Sequence, residues 1–168
     1  MKRSLSVVAI GLVAGLMPLA ALADDPSVRW ADVIGIVQAG NLVGSGTGQV
    51  TGGGQPWSTT RGSATVNLQS GQVHFRVEGL VLAGGSAIGT PDAIVQVKGT
   101  LVCDTNGSAG GGNSTLVDTP LVALSPQGDA EFNGNVGPLP AACLEPDIAF
   151  LVRIGAGRWI AAGVVRTP

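Results

Sequence analysis

The clearest pattern along the chain is an alternation of apolar and polar residues between Ser63 and Leu82. The apolar positions are Ala64, Val66 and Leu68 before a short turn, and Val73, Phe75 and Val77 after it. The turn itself, residues 69–71, ends in glycine. Period-two alternation on both sides of a short glycine-containing turn is typical of a β-hairpin with one buried face.

Similar short patterns recur along the chain and predict about nine strands. Their ranges are 31–38, 41–50, 62–69, 72–82, 93–103, 115–124, 129–136, 147–154 and 157–166. Turns rich in glycine and proline separate them, and no helical pattern lies between them. This organisation predicts an all-β fold, an antiparallel β-sandwich that is Ig-like or jelly-roll-like, with a closed barrel as the alternative.

The first 23 residues have the organisation of a cleavable secretory signal. They begin with Lys2 and Arg3, continue as an apolar run, and end in the small-residue pattern Ala21-Leu22-Ala23. A retained N-terminal anchor helix is the alternative. No later stretch reaches the roughly 20 apolar residues that span a bilayer. We therefore expect a secreted or periplasmic protein without a membrane span after cleavage, in which 24–168 form a single domain.

The charged residues argue against nucleic acid as a partner. The chain has a formal net charge of −2, from nine basic and eleven acidic residues. Loss of Lys2 and Arg3 with the signal leaves seven basic residues against eleven acidic ones. The remaining basic residues are scattered singly, whereas binding to phosphates needs clustered Lys and Arg.

Cys103 and Cys143 are the only cysteines and predict one disulfide in an oxidising compartment. Free thiols and a metal role are the alternatives. If every strand crosses the domain once, both cysteines fall at the same end of the domain. The same count places four connections together at the opposite end, namely 51–61, 83–92, 125–128 and 155–157.

Neither a catalytic device nor a cofactor is indicated by the sequence. His74 is the only histidine, and it falls on the polar side of a predicted strand. No G-x-S-x-G motif presents a serine nucleophile. We therefore predict no catalytic residue, no metal and no cofactor, although a hydrolase that uses carboxylates, with or without His74, remains an alternative.

The segment Gly44-Ser45-Gly46-Thr47-Gly48 is rich in glycine and superficially suits a phosphate. A phosphate-binding loop needs a helix N-terminus after it, whereas this segment lies among β patterns. We therefore reject a phosphate site there.

The most suggestive side chain for binding is Trp57, which lies in a glycine-rich loop rather than in an alternating strand. Aromatic side chains on the loops of a β scaffold stack on sugars or hold peptides, and nearby polar groups supply hydrogen bonds. The predicted ligand-binding residues are Trp57, Arg61, Thr90 and Asp92. The alternative is that Trp57 folds back as a lid over the end of the domain.

The function expected from this sequence is that of an exported, soluble, non-enzymatic module. Its ligand would be an extracellular glycan or peptide, bound by loops at one end. The first alternative is a structural subunit of a surface layer or fibre, in which exposed sheet edges pair between copies. The second alternative is the secreted hydrolase that uses carboxylates.

Overall fold

The structure is a computed structural model that describes residues 26–109, 111–144 and 146–167. The expected signal peptide, residues 1–23, lies outside the described residues. Within those described ranges, no helix is long and apolar enough to cross a membrane.

The described residues form thirteen β-strands and two short 3-10 turns, and they contain no α-helix. The strands are β1 (Ser27–Gly35), β2 (Leu42–Val43), β3 (Val50–Thr51), β4 (Trp57–Ser58), β5 (Arg61–Asn67), β6 (Gln72–Glu78), β7 (Val81–Leu82), β8 (Gln96–Cys103), β9 (Thr115–Asp118), β10 (Val122–Ala123), β11 (Ala130–Asn135), β12 (Ile148–Ile154) and β13 (Trp159–Thr167). The 3-10 turns are Gly46–Gly48 and Ala141–Leu144. The predicted all-β class is confirmed.

Nine of the strands form one large antiparallel sheet, which confirms the predicted antiparallel fold of about nine strands. Its hydrogen-bonded order is β10-β8-β12-β13-β1-β5-β6-β11, and β9 also pairs with β8. The first and last strands of this order, β10 and β11, are joined by a tight turn in which the Ser125 N–H donates to the Asp129 carbonyl at 2.9 Å. The sheet is therefore curled so that its two ends approach each other. Two small sheets, β2–β3 and β4–β7, accompany it.

The core lies inside this curl, where aromatic rings from opposite sides of the sheet meet. Phe75 on β6 and Phe150 on β12 have ring centroids 5.7 Å apart, although three strands separate β6 from β12. Trp30 on β1 lies 5.6 Å from Phe150. Gly99 on β8 makes this contact possible, because a Cβ there would lie 2.8 Å from the Phe75 ring and 2.9 Å from the Phe150 ring.

The hairpin predicted from the alternation at 63–82 is present as β5 and β6. Ala64 pairs with Phe75, and both are almost fully buried. In the turn, the Asn67 side-chain oxygen accepts the Ser70 N–H at 2.8 Å, and Gly71 has a φ of +72°. A positive φ of this size favours glycine, so the turn residues suit the observed geometry.

The predicted disulfide between Cys103 and Cys143 is also present. Cys103 is the last residue of β8, Cys143 lies in the second 3-10 turn, and their Cα atoms are 4.5 Å apart. Both residues are fully buried. The bond therefore ties the segment that follows β11 to the end of β8.

The single strand predicted at 41–50 is wrong. Gly44 and Gly46 have φ values of +86° and +55°, and the chain there forms β2, a 3-10 turn and β3. The turn packs against the loop that follows β8, where the Ser45 N–H donates to the Ser114 hydroxyl at 2.8 Å and the Thr47 N–H donates to the Asn113 side-chain oxygen at 2.8 Å. The glycine-rich segment thus packs against the loop that follows β8.

Two other predicted strands are interrupted by residues that end a ladder. Gly79, with a φ of +63°, separates β6 from β7 within the predicted strand 72–82. Pro120 lies between β9 and β10 within the predicted strand 115–124. Proline lacks the N–H that a ladder needs, so it is expected at such a break.

Replacing Gly48 by alanine should destabilise the fold by about 1–3 kcal/mol, the usual range for overpacking. A Cβ at this position would lie 1.8 Å from the Ser114 carbonyl oxygen, so one backbone has to move. Gly155→Ala is the matched control, since a Cβ there meets nothing within 4 Å. Urea unfolding of both variants measures the difference, and equal stability would contradict the close packing.

Replacing both cysteines by alanine should lower the free energy of unfolding by about 4 kcal/mol on the chain-entropy model. The closed loop spans a sequence separation of 40 residues. Denaturant unfolding of the double variant, compared with the oxidised protein, measures the loss. An unchanged midpoint would show that the bond does not restrict the unfolded chain.

Candidate functional site

The two long loops that were expected to share one end of the domain, 51–61 and 83–92, do meet in the structure. Strand β4 of the first pairs with β7, which leads into the second, and Trp57 lies opposite Leu82. The Ala83 N–H donates to the Pro56 carbonyl at 2.9 Å, and the Leu82 N–H donates to the Thr90 carbonyl at 2.9 Å. Main-chain hydrogen bonds therefore hold the two loops together.

A cleft of about 220 Å³ opens between these loops and the β12–β13 turn, and we call it the loop cleft. Its buried wall contains Trp57, Leu82 and Ile160, which are 6%, 4% and 1% exposed. Its exposed wall carries one acidic and one basic side chain, Asp92 and Arg158. The cleft thus combines an apolar surface with a few polar groups, the usual composition of a ligand site.

Trp57 is less exposed than its position in a glycine-rich loop suggests. The main-chain N–H of Trp57 donates to the Ile36 carbonyl at 2.8 Å. Its main-chain carbonyl oxygen lies so close to Gly35 that a Cβ on Gly35 would be only 2.2 Å away. This placement agrees with the alternative in which Trp57 folds back over the end of the domain. The indole nevertheless lines the loop cleft, so it can contact a ligand there.

The other three predicted residues have different positions. Asp92 lines the loop cleft and has a φ of +52°. Thr90 supports the loop instead, because its hydroxyl donates to the Ala87 carbonyl at 2.8 Å and accepts the Asp92 N–H at 3.2 Å. Arg61 lines a separate cleft on the outer face of β1, β5 and β6, which we call the arginine cleft. The structure therefore brings Trp57 and Asp92 to one cleft and places Arg61 in another.

Arg158 is the residue of the loop cleft that the sequence analysis missed. It follows the 155–157 turn, which the strand count had placed at this end of the domain. Its Nη1 donates to the Gly52 carbonyl at 3.0 Å, and this bond connects the turn to loop 51–61. A basic residue immediately after a turn assigned to the binding end was a usable signal.

His74 lies on the outer polar face of β6, as predicted, and its side chain is 46% exposed. Its Nε2 lies 3.3 Å from Glu131 Oε1 on β11. In the described ranges no serine or threonine hydroxyl is hydrogen-bonded to the imidazole. The same part of the chain contains no group of three or more His, Cys, Asp or Glu side chains placed to hold a metal ion.

A third polar feature is an ion-pair cluster on the outer face of β8, β9 and β12. Asp118 contacts Lys98, accepts the Thr100 hydroxyl at 2.6 Å, and lies 3.1 Å from Arg153. Burial alone raises the pKa of Asp118, but the hydrogen bonds from Lys98 and Thr100 and the charge of Arg153 outweigh burial and hold this pKa below its ordinary value. These groups satisfy one another, so the cluster is structural.

Asp118→Asn should lower the free energy of unfolding at neutral pH and make that free energy depend less on pH in the acidic range. Since the folded pKa of Asp118 lies below its ordinary value of 3.8, its ionised form adds stability above that value, and this contribution is lost as the pH falls through the folded pKa. The unfolding free energies of variant and wild type should therefore converge as the pH falls below 3.8 and through the lower folded pKa. Asp92→Asn, at an exposed position outside the cluster, is the control, and parallel pH profiles for Asp118→Asn and wild type would contradict the argument.

The chain was also compared with known proteins in three ways. No protein-family model, no curated protein and no solved structure was found to match it.

Proposed function

We propose that this protein is an exported, non-enzymatic binding module that holds an extracellular glycan or peptide in the loop cleft. The observation that carries the proposal is the junction of loops 51–61 and 83–92. There, a buried indole and aliphatic side chains lie beside an exposed carboxylate and an exposed guanidinium, those of Asp92 and Arg158. At this junction a depression in the surface brings an apolar wall and polar side chains together.

The size of the loop cleft restricts what can enter it. Its volume of about 220 Å³ lies below the roughly 300–1,000 Å³ of pockets that enclose drug-sized ligands. One sugar ring or one amino-acid side chain fits, and the rest of a longer ligand would extend over the loops. A chain ligand that inserts one unit therefore suits the cleft better than a compact cofactor.

The groups in the cleft can recognise such a unit. Among the described residues, the indole Nε1 of Trp57 has no hydrogen-bond acceptor, whereas that of Trp159 donates to the Asn41 carbonyl at 3.0 Å. Gly53 leaves the indole uncovered, since a Cβ there would lie 3.7 Å from Trp57 Nε1. An aromatic surface with a free N–H, beside Asp92 as acceptor and Arg158 as donor, complements a sugar ring or a polar side chain.

A structural subunit that pairs through sheet edges is the second candidate. β11 ends the hydrogen-bonded order on one side and β9 and β10 end it on the other, so both edges have one strand neighbour. However, both edges carry charged side chains, Glu131 on β11 and the Asp118 ion-pair cluster on β9, and charged side chains on an edge strand discourage pairing with another copy. We therefore rank binding through the loop cleft first.

Gly54→Leu should abolish ligand binding without unfolding the protein. Gly54 lines the loop cleft, and a Cβ built on it meets nothing within 4 Å, so a larger side chain can occupy the cleft. Gly155→Leu is the matched control, because its Cβ position is equally open and lies outside the lining of the cleft. Trp57→Ala is less suitable, because removing a core indole also costs stability.

The measurement is thermal unfolding of the protein and both variants in the presence of glycans and of peptides. A ligand at about 100 times its Kd stabilises the native state by about 2.7 kcal/mol. We expect a shift with the unmodified protein and with Gly155→Leu, and none with Gly54→Leu. A shift that survives Gly54→Leu would place binding elsewhere, and no shift with any ligand would favour the structural candidate.

A further inference from the structure

The arginine cleft is a second depression in the surface, with a volume of about 370 Å³. It shares no lining residue with the loop cleft. Its long charged side chains are Arg29, Asp32, Arg61, Arg76 and Glu78. Between them lie small residues, Ala31, Gly62 and Ser63.

Strand register explains this arrangement. Arg61 pairs with Glu78 and Ser63 pairs with Arg76, whereas the intervening Gly62 pairs with the buried Val77. Directly paired residues of an antiparallel sheet share a face, so the polar pairs point outward together. Because Ser63 is small and sits on the central strand, the longer side chains of the flanking strands form walls around it.

The charges of this cleft are incompletely paired. Arg76 lies 2.9 Å from Glu78, but neither Arg29 nor Arg61 is part of an ion pair within the described ranges. Guanidinium groups stay protonated at every physiological pH, so these charges persist. The protein carries a net charge of −2, yet three of its nine basic residues lie in this cleft. The cleft is therefore a local site of attraction for an anionic group.

The other groups in the cleft restrict the chemistry of the anion. Arginine binds carboxylates with two parallel hydrogen bonds. The carboxylates of Asp32 and Glu78 would repel a bare anion, but they accept hydrogen bonds from hydroxyl groups. Ser63 and Thr60 add hydroxyls that donate or accept. A ligand that carries both a carboxylate and several hydroxyls uses all of these groups, whereas sulfate or phosphate uses only the arginines.

We propose that the arginine cleft binds an acidic saccharide, with sugar carboxylates on Arg29 and Arg61, which lie four residues apart in the register of the sheet, and sugar hydroxyls on Asp32 and Glu78. This site is separate from the loop cleft, so its existence does not depend on the proposed function. If one saccharide polymer occupies both clefts, its acidic units lie in the arginine cleft and another of its units enters the loop cleft.

Isothermal titration calorimetry of the full chain tests the proposal. The probes are an oligosaccharide of galacturonic acid, the neutral galactose oligosaccharide of equal length, and inorganic sulfate. We expect the acidic oligosaccharide to bind and the neutral one not to bind in this cleft. Arg29→Gln and Arg61→Gln should each weaken binding of the acidic oligosaccharide by about tenfold or more, as loss of a hydrogen bond to a charged group predicts.

Two further variants separate specific recognition from simple charge. Arg166→Gln changes the net charge equally but lies outside both clefts at an exposed position, so it should leave binding of the acidic oligosaccharide unchanged. Asp32→Ala should weaken saccharide binding, because it removes a carboxylate that accepts hydrogen bonds from sugar hydroxyls. The same change should strengthen sulfate binding, because it removes a charge that repels the anion. The side chains replaced in the arginine cleft are on the surface, and thermal unfolding without ligand checks that each variant is folded.

Three results would overturn the proposal. The first is absence of heat with the acidic oligosaccharide, or equal affinity for the acidic and neutral forms. The second is sulfate binding as tightly as the saccharide, which would reduce the cleft to a general anion site. The third is an effect of Arg166→Gln as large as that of Arg61→Gln, which would show that binding responds only to the net charge of the protein.

Discussion

The contact between Phe75 and Phe150 holds the two sides of the curled sheet together. It requires Gly99, whose missing side chain leaves the space in which the rings meet. This contact spans the curl where the ladder is incomplete, since the first and last strands, β10 and β11, are linked through a turn rather than a full ladder. The disulfide at one end and the β4–β7 pair at the other close the ends of the same core.

Because the core fills the inner face, the two clefts lie at the loop end and on the outer face. At the loop end, the Trp57 side chain belongs to the core and also lines the loop cleft. Its replacement would therefore change stability as well as the surface of the cleft. On the outer face, register alone decides which side chains meet, and it places Arg61 beside Glu78 and Ser63 beside Arg76. The two clefts therefore differ in origin, one made by loops and one by strand pairing.

The fold was largely predictable because alternation, turn residues and cysteine pairing are local signals. The hairpin at 63–82 and the Cys103–Cys143 bond follow from such signals. The site was only partly predictable. Sequence proximity joined Arg61 to Trp57, but the three residues between them lead from β4 at the loop cleft to the outer face of β5. This separation depends on the pairing of β4 with β7 and of β5 with β6.

Long-range pairing also explains the error at 41–50. The alternation there suits a strand, but the glycines are needed for backbone approach to the loop that follows β8, a contact between segments 66 residues apart at Thr47 and Asn113. No local pattern encodes such a distance. Glycines that serve close approach and glycines that serve a turn look the same in sequence.

The position of β1 has a consequence for how the chain reaches this structure. β1 pairs on one side with β5 and on the other with β13, so that Arg29 lies opposite Thr167. While the polypeptide is being made, β1 has to keep one edge open until almost every other strand exists. Pairings of such long sequence separation are slow to form, and an open edge is prone to pairing with other chains. Among the described strands, the edge of β1 that faces β13 therefore stays unpaired until β13 has been made.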